Sequence, residues 1–197
     1  MLGIHEAGTV NAPRARIRGE WNDRSVLIRR AREDDARAIA AVHIRSRQVG
    51  YRGLVPDDAL ESQDLDERIG EWQPRLRPDD PERGITLVAE DDDGIRGFVR
   101  FGPARYPEDG DGIGEVMTIY VDPDAWGTGI GHRLLTEAVA GLAEDGWPEA
   151  VLWALAENAR ACRFYEAHGW RRDLETVSDR YGLPVPLARY RIALGDC

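Results

Sequence analysis

The spacing of apolar positions changes several times along the chain, and each change marks an element. Ser25 to Arg30 alternates as a strand. Ala36, Ile39, Ala40 and His43 then recur at helical spacing behind Asp34 or Asp35, either of which suits an N-cap. Gly50 to Pro56 breaks that helix, a short helix is predicted from Asp57 and another over Leu65 to Trp72, and the Pro- and Asp-rich stretch from Arg75 to Arg83 reads as a loop. Ile85 to Glu90 and Ile95 to Phe101 alternate as two strands joined by the Asp91 to Gly94 turn. The acids of that turn are read as turn residues, not as metal ligands. After a loop from Pro103 to Gly112, Glu115 to Val121 forms a strand stopped by Pro123. Ile130, Leu134, Leu135, Ala138, Val139 and Leu142 lie on one face of a helix that starts at Gly129. Glu149 to Leu155 is a strand, Ala159 to His168 a helix, and Leu187 to Leu194 the last strand. This order describes a mixed α+β domain with one central sheet. Residues 1–23 show no sustained period and are expected to form an arm or tail, with 24–197 as a single domain.

Composition narrows the function. The 197 residues suffice for one domain with a real core. No apolar run approaches a membrane span, and Met1 to Trp21 lacks the apolar middle of a signal peptide, so a cytoplasmic protein without membrane contact is expected. Two cysteines and four scattered histidines suggest neither a disulfide framework nor a zinc site, and no metal is expected. A net charge of −10 argues against nucleic acid and is compatible with a cationic substrate such as an amine.

The densest chemical signal is Asp122-Pro-Asp-Ala-Trp-Gly-Thr-Gly-Ile-Gly-His132, between a strand and a helix. Glycines at 127, 129 and 131 let the backbone approach a ligand that side chains would hold away. The first turn of the following helix offers unpaired N–H groups and the positive end of its dipole, which suits a pyrophosphate. A dinucleotide loop counted from Gly127 would need a third glycine at position 132, which is His132, so a nucleotide oxidoreductase is disfavoured. A phosphate-binding loop of the nucleoside triphosphatase type needs a lysine, and the chain has none.

A second segment, Asn158-Ala-Arg-Ala-Cys-Arg-Phe-Tyr-Glu-Ala-His-Gly-Trp170, has Asn158 as a natural N-cap. Ala161, Phe164, Tyr165 and His168 share a helical face, and Gly169 fits the left-handed residue that ends the helix. Trp126-Gly-Thr-Gly-Ile-Gly131 resembles the coenzyme A loop of the GNAT superfamily of N-acetyltransferases, whose motif is Gln or Arg, two residues, Gly, one residue, then Gly or Ala. Both small positions match, and Trp126 replaces the Gln or Arg. The second segment is similar to the later GNAT signature, and the likeness extends from about Val26 to Leu194.

The resemblance implies a mostly antiparallel sheet of six to seven strands flanked by helices on both faces, and acetyl transfer from acetyl-CoA to a primary amine in a ternary complex. Trp126, Gly127, Thr128, Gly129, Ile130, Gly131 and His132 would hold the pyrophosphate, with Arg133, Arg160 and Arg163 as candidate phosphate partners. Backbone groups of Ile119, Tyr120 and Val121 would pair with the pantetheine arm as an added strand, the N–H of Val121 or Ile119 would face the thioester oxygen, and Asn158 would bond the arm. Tyr165 would protonate the leaving thiolate. Glu115, which on a regular strand shares a face with Met117 and Ile119, is the candidate base, with Glu149 or an acid of the 103–112 loop as substitutes. His43, Arg47, Tyr51 and Arg52 are candidates for the acceptor pocket. The acceptor could be a small-molecule, peptide or protein amine, and the family makes a homodimer plausible. The alternative is a non-catalytic acyl-CoA-binding or regulatory module on the same fold.

Overall fold

The computed structural model describes residues 26–80, 84–106, 109–110, 112–179 and 184–195. The expected arm, 1–23, lies outside the described residues. The elements in order are β1 (Leu27–Arg30), α1 (Ala36–Gly50), α2 (Asp57–Glu61), α3 (Leu65–Arg75), β2 (Ile85–Asp91), β3 (Gly94–Pro103), β4 (Gly114–Val121), α4 (Ile130–Glu144), β5 (Glu149–Leu155), α5 (Ala159–Ala167), β6 (Arg171–Ser178) and β7 (Val185–Ala193). The strands form one seven-stranded sheet in the order β1-β2-β3-β4-β5-β7-β6. Every pairing is antiparallel except β4 with β5.

Helices cover both faces. The apolar stripe of α4, with Ile130, Leu134, Leu135, Ala138 and Leu142 buried, packs with Cys162 and Tyr165 of α5 against Val99, Phe101 and Val116. On the other face Ile39, Ala40 and Val42 of α1 and Trp72 of α3 pack on Val88 and Phe98. The Asp91 to Gly94 segment is the expected hairpin turn: Asp93 N–H donates to the Asp91 side chain, and Gly94 has φ of 111°. Strand β6 is an element the sequence pattern did not reveal. It is an edge strand exposed along nearly its whole length, so no half-buried alternation marks it.

One irregularity decides how β4 presents its side chains. Arg100 pairs with Thr118 but Phe101 pairs with Val116, so Met117 is an extra residue in β4, a β-bulge. Beyond it the parity flips. Val116, Ile119 and Val121 all belong to the cluster under α4, while Tyr120 belongs to the α1–α3 side. Glu115, opposite Gly102, is on the Tyr120 side. The sequence reading that put Glu115 on one face with Ile119 is therefore corrected: the bulge separates them.

Close packing at Gly97 ties β3 to β4 and α4. A Cβ there would lie 2.9 Å from the Tyr120 carbonyl oxygen and 3.1 Å from Leu134 Cδ1, and the backbone atom cannot swing away. Gly97→Ala is therefore expected to destabilise the chain by about 1–3 kcal/mol. Gly70→Ala, on exposed α3 with nothing within 4 Å, is expected to be neutral or to stabilise by up to about 1 kcal/mol. Urea denaturation at constant m-value checks both.

Candidate active site

Strands β4 and β5 pair only at Gly114–Ala150 and Glu115–Val151. Past those residues β4 continues beside β3 and β5 beside β7, so a cleft opens between them. Asp122 N–H donates to Arg96 O at 2.8 Å, which sets the antiparallel alternation along β3–β4. Tyr120 and Thr118 then bond β3 through their backbones, and the backbone groups of Ile119 and Val121 face the cleft. The Val121 carbonyl confirms that direction: it accepts from Trp126 Nε1 at 2.7 Å and Ser46 Oγ at 2.9 Å. Ile119 and the Val121 N–H thus stand on an edge where an added strand could pair. Tyr120 does not, since its backbone is used within the sheet and its ring lines the cavity instead. The cavity measures about 1550 Å³. This exceeds the roughly 300–1,000 Å³ of a single small-molecule site and suits two ligands side by side.

The glycine loop forms one wall. Gly127 and Gly129 have φ of 80° and 85°, conformations that side chains resist, and a Cβ at either would meet nothing within 4 Å. Gly129 is the left-handed N-cap of α4, so the first-turn N–H groups of a 15-residue helix open onto bare backbone. This is a cradle an anionic group can enter. Gly131 differs: a Cβ there would make only ordinary contacts with Phe164 and Val121 at 3.6–3.7 Å. Thr128 Oγ1 donates to Ala125 O and steadies the turn. The His132 ring is tied to α5, with Nδ1 2.7 Å from His168 Nε2, while His168 Nδ1 lies 2.6 Å from the Phe164 carbonyl. A carbonyl can only accept, so His168 Nδ1 carries a proton and, in a neutral ring, its Nε2 accepts from His132.

The opposite wall is the start of α5. Asn158 Oδ1 caps that helix by accepting from Ala161 N–H at 3.1 Å, which leaves its amide NH₂ to the cavity it lines. Arg160, two residues on, lies 3.6 Å over the Trp126 ring and bridges the two walls. Partial burial lowers the pKa of its guanidinium below the usual arginine value. Tyr165 is buried between Phe164 and Tyr190 yet lines the cavity, and among the described residues nothing hydrogen-bonds its hydroxyl. Burial, with Tyr120, Cys162 and Tyr190 adding to it, pushes that hydroxyl well above the usual tyrosine pKa.

At the far end His43, Tyr51, Trp72 and Tyr120 form an aromatic floor. Glu115 is buried, and its oxygens accept Arg105 Nη2 at 2.7 Å, Nε at 3.0 Å and the Arg105 backbone N–H at 3.1 Å. A carboxylate offers about four acceptor positions, so one remains for water or substrate.

This geometry coincides with a known family. A model of the acetyltransferase (GNAT) domain matches residues 82–172, which contain the bulged strand, the glycine loop, Asn158 and Tyr165. Over those residues the chain matches the GNAT superfamily. It is 28% identical over 150 residues to the uncharacterized N-acetyltransferase YuaI of Bacillus subtilis, covering 76% of this chain and 83% of that one. It is 34% identical over 113 residues to a mycothiol acetyltransferase of Kocuria rhizophila, covering 55% of this chain and 35% of that one, so it spans about a third of that relative. The PaiA N-acetyltransferase of Thermoplasma acidophilum, solved with coenzyme A, superposes with a TM-score of 0.66 at 21% identity, over 86% of this chain and 99% of that one. The fold is the one the motifs implied.

Not every residue singled out from the sequence reaches the cleft. Of the three candidate phosphate arginines only Arg160 lines it, while Arg133 and Arg163 are exposed elsewhere. Arg52 is exposed outside the cavity. Glu149 pairs with Arg191 at 2.7 Å away from the cleft, and Asp109 is buried against Arg189 and Trp153. Glu108 and Asp111, the other acids of the 103–112 loop, lie outside the described residues. Arg68, Trp72, Arg75 and Arg105 line the cavity without having been expected to, because they come from elements distant in sequence. Among the described residues no three His, Cys, Asp or Glu side chains gather as a metal site, and no helix is long and apolar enough to cross a membrane.

The two glycine positions are expected to separate. Gly129→Ala strains a left-handed backbone and should reduce the rise in melting temperature produced by acetyl-CoA. Gly131→Ala should keep both the fold and that rise. Scanning calorimetry with and without acetyl-CoA measures the difference, and equal effects at the two sites would contradict the cradle.

Proposed function

We propose that the chain acetylates a primary amine by direct attack on acetyl-CoA held in the β4–β5 cleft, with Tyr165 as the acid. The observation that supports this most is Tyr165: its ring is buried, its side chain lines the cavity, and its hydroxyl bonds to no described residue. A core tyrosine with a purely structural task normally satisfies its hydroxyl.

In this reading the α4 N-terminus and the left-handed glycines hold the pyrophosphate, and Ile119 and Val121 bond the arm along the open edge of β4. An Ile119 or Val121 N–H faces the thioester oxygen, where charge develops as the amine attacks. Trp126 takes the family's Gln or Arg position but spends its indole N–H on the Val121 carbonyl, so its task is to shape the loop. The amine nitrogen forms the new bond to the acetyl carbon, the carbon–sulfur bond breaks, and Tyr165 gives its proton to the departing sulfur. Glu115 takes the amine proton through water at its remaining acceptor position. Residues 24–197 act as one domain built on one continuous sheet, and a buried, unbridged Cys162 fits a reducing cytoplasm.

Release of free thiol from acetyl-CoA across a panel of amines tests the activity. Tyr165→Phe should lower kcat by about 10²-fold or more while the KM for acetyl-CoA changes little. An unchanged kcat would remove the acid role, and coenzyme A binding without turnover of any amine would favour the non-catalytic module. A hydroxyl whose pKa is raised stays protonated as pH climbs past the ordinary tyrosine value of about 10. No loss of kcat attributable to Tyr165 is therefore expected between about pH 8 and 10. A fall in that window that vanishes in Tyr165→Phe would contradict the assignment.

A further inference from the structure

The far end of the cavity is built of aromatic rings in two layers. His43, Tyr51 and Tyr120, all half-buried, line the cavity, with buried Trp72 beside them and Phe98 fully buried behind. The inner rings meet edge to face: Trp72 and Phe98 lie 4.9 Å apart at 80°, and each is 5.9 Å from His43. The outer rings lean on these, with His43 4.6 Å from Tyr120 and Tyr120 5.8 Å from Phe98. Four elements contribute, α1 with the residue after it, α3, β3 and β4, so the layer is fixed by the fold and not by one flexible segment.

The polar atoms of these rings close on one another. Trp72 Nε1–H donates to His43 Nδ1 at 3.3 Å, and the Tyr51 and Tyr120 hydroxyls meet at 2.9 Å. Burial, with the charge of Arg68, Arg47 and Arg75 adding to it, pushes His43 well below the usual histidine pKa, so its ring is uncharged at neutral pH. The charges of the wall are also taken up within the wall. Glu115 holds Arg105 at 2.7 Å, Glu71 holds Arg68 at 2.6 Å, and Asp80 holds Arg100 at 2.6 Å. Arg47 is bonded to Gln63 and lies 5.8 Å from the Tyr51 ring centre, within reach of a cation–π contact that steadies that ring. Arg75 lies against Trp72 and Glu71 in the same way.

A surface of this kind rewards a flat apolar group most. A ring laid on it leaves water and meets ring faces and edges that are already in place. Its position assigns it to the acceptor. Tyr120 stands between Ile119 and Val121 on the strand whose open edge faces the cleft, and its ring lies on the opposite face of β4 from their side chains, the face of Glu115. The ring layer therefore begins one residue from the edge proposed for the donor arm. Resting on the acetyl transfer proposed above, we infer that the acceptor is a primary amine carrying an aromatic ring, with the ring seated on His43, Tyr51 and Tyr120 and the amine reaching back towards the thioester. A polyamine, a lysine side chain or a short alkylamine would leave these rings uncovered.

A series of primary amines tests this on the unaltered chain: benzylamine, phenethylamine and tryptamine against butylamine, 2-cyclohexylethylamine and spermidine. Thiol release from acetyl-CoA gives kcat/KM for each, and a parallel melting curve with acetyl-CoA tests the donor site alone. The best aromatic amine should exceed butylamine and spermidine by about tenfold or more, the gain of burying one ring. Phenethylamine should exceed 2-cyclohexylethylamine by about threefold, the share owed to ring–ring geometry. Tyr51→Ala should raise the KM for the best aromatic amine by about tenfold while kcat, and the KM for butylamine, change little; Tyr51→Phe, which keeps the ring, should stay close to the unaltered chain. Aromatic amines no better than butylamine or spermidine would overturn the inference, as would 2-cyclohexylethylamine matching phenethylamine. So would an unchanged KM in a folded Tyr51→Ala, or no turnover of any aromatic amine while acetyl-CoA still raises the melting temperature. If Tyr51→Ala does not fold, the amine series decides alone. An acetyl-CoA that leaves the melting curve unmoved would instead overturn the acetyl-transfer reading on which the inference stands.

Discussion

Two parallel strands that part after a short contact expose backbone groups, and buried backbone groups must find partners. In this chain β4 and β5 share only two residue pairs before they separate. On the open edge of β4 the Val121 carbonyl is served by Trp126 and Ser46. The neighbouring Ile119 groups face the cleft. The Met117 bulge cooperates with the parting: it turns Ile119 and Val121 side chains under α4 while keeping Tyr120 and Glu115 on the acceptor side. One strand thus offers backbone groups to the cleft and two different side-chain faces to the two layers.

Electrostatics divide the cavity in the same way. The donor end works through the α4 N-terminus and bare left-handed backbone, with Arg160 as the nearby cation, so a phosphate meets dipoles more than side-chain charge. The other end sets Arg47 and Arg75 beside the Tyr51 and Trp72 rings. Tyr165 lies on the same wall as Asn158, and burial holds the pKa of its hydroxyl above the usual tyrosine value.

What was legible in the amino-acid sequence is what local backbone demands dictate. Glycines at 127 and 129 announce positive φ, Asn158 and Gly169 bracket a helix, and the apolar stripe of α4 shows its buried face. The order of elements follows from the same local periods. Register was not legible: the Met117 bulge is a property of the β3–β4 pair, so the face assigned to Glu115 was wrong although the residue does line the cavity. Strand β6 was missed because both its faces are exposed. Arg68, Trp72, Arg75 and Arg105 were missed because only tertiary packing brings them beside β4.

One ligand that spanned both the open β4 edge and the glycine cradle would engage their free amides together. Amide hydrogen exchange, resolved by residue and recorded with saturating coenzyme A and without it, addresses this directly. Protection should rise at Ile119, Val121 and the amides from Gly129 to His132, while Tyr120, already bonded to β3, should change little. Saturation that protects neither group of amides, or that protects the cradle while leaving Ile119 and Val121 unaltered, would contradict the account.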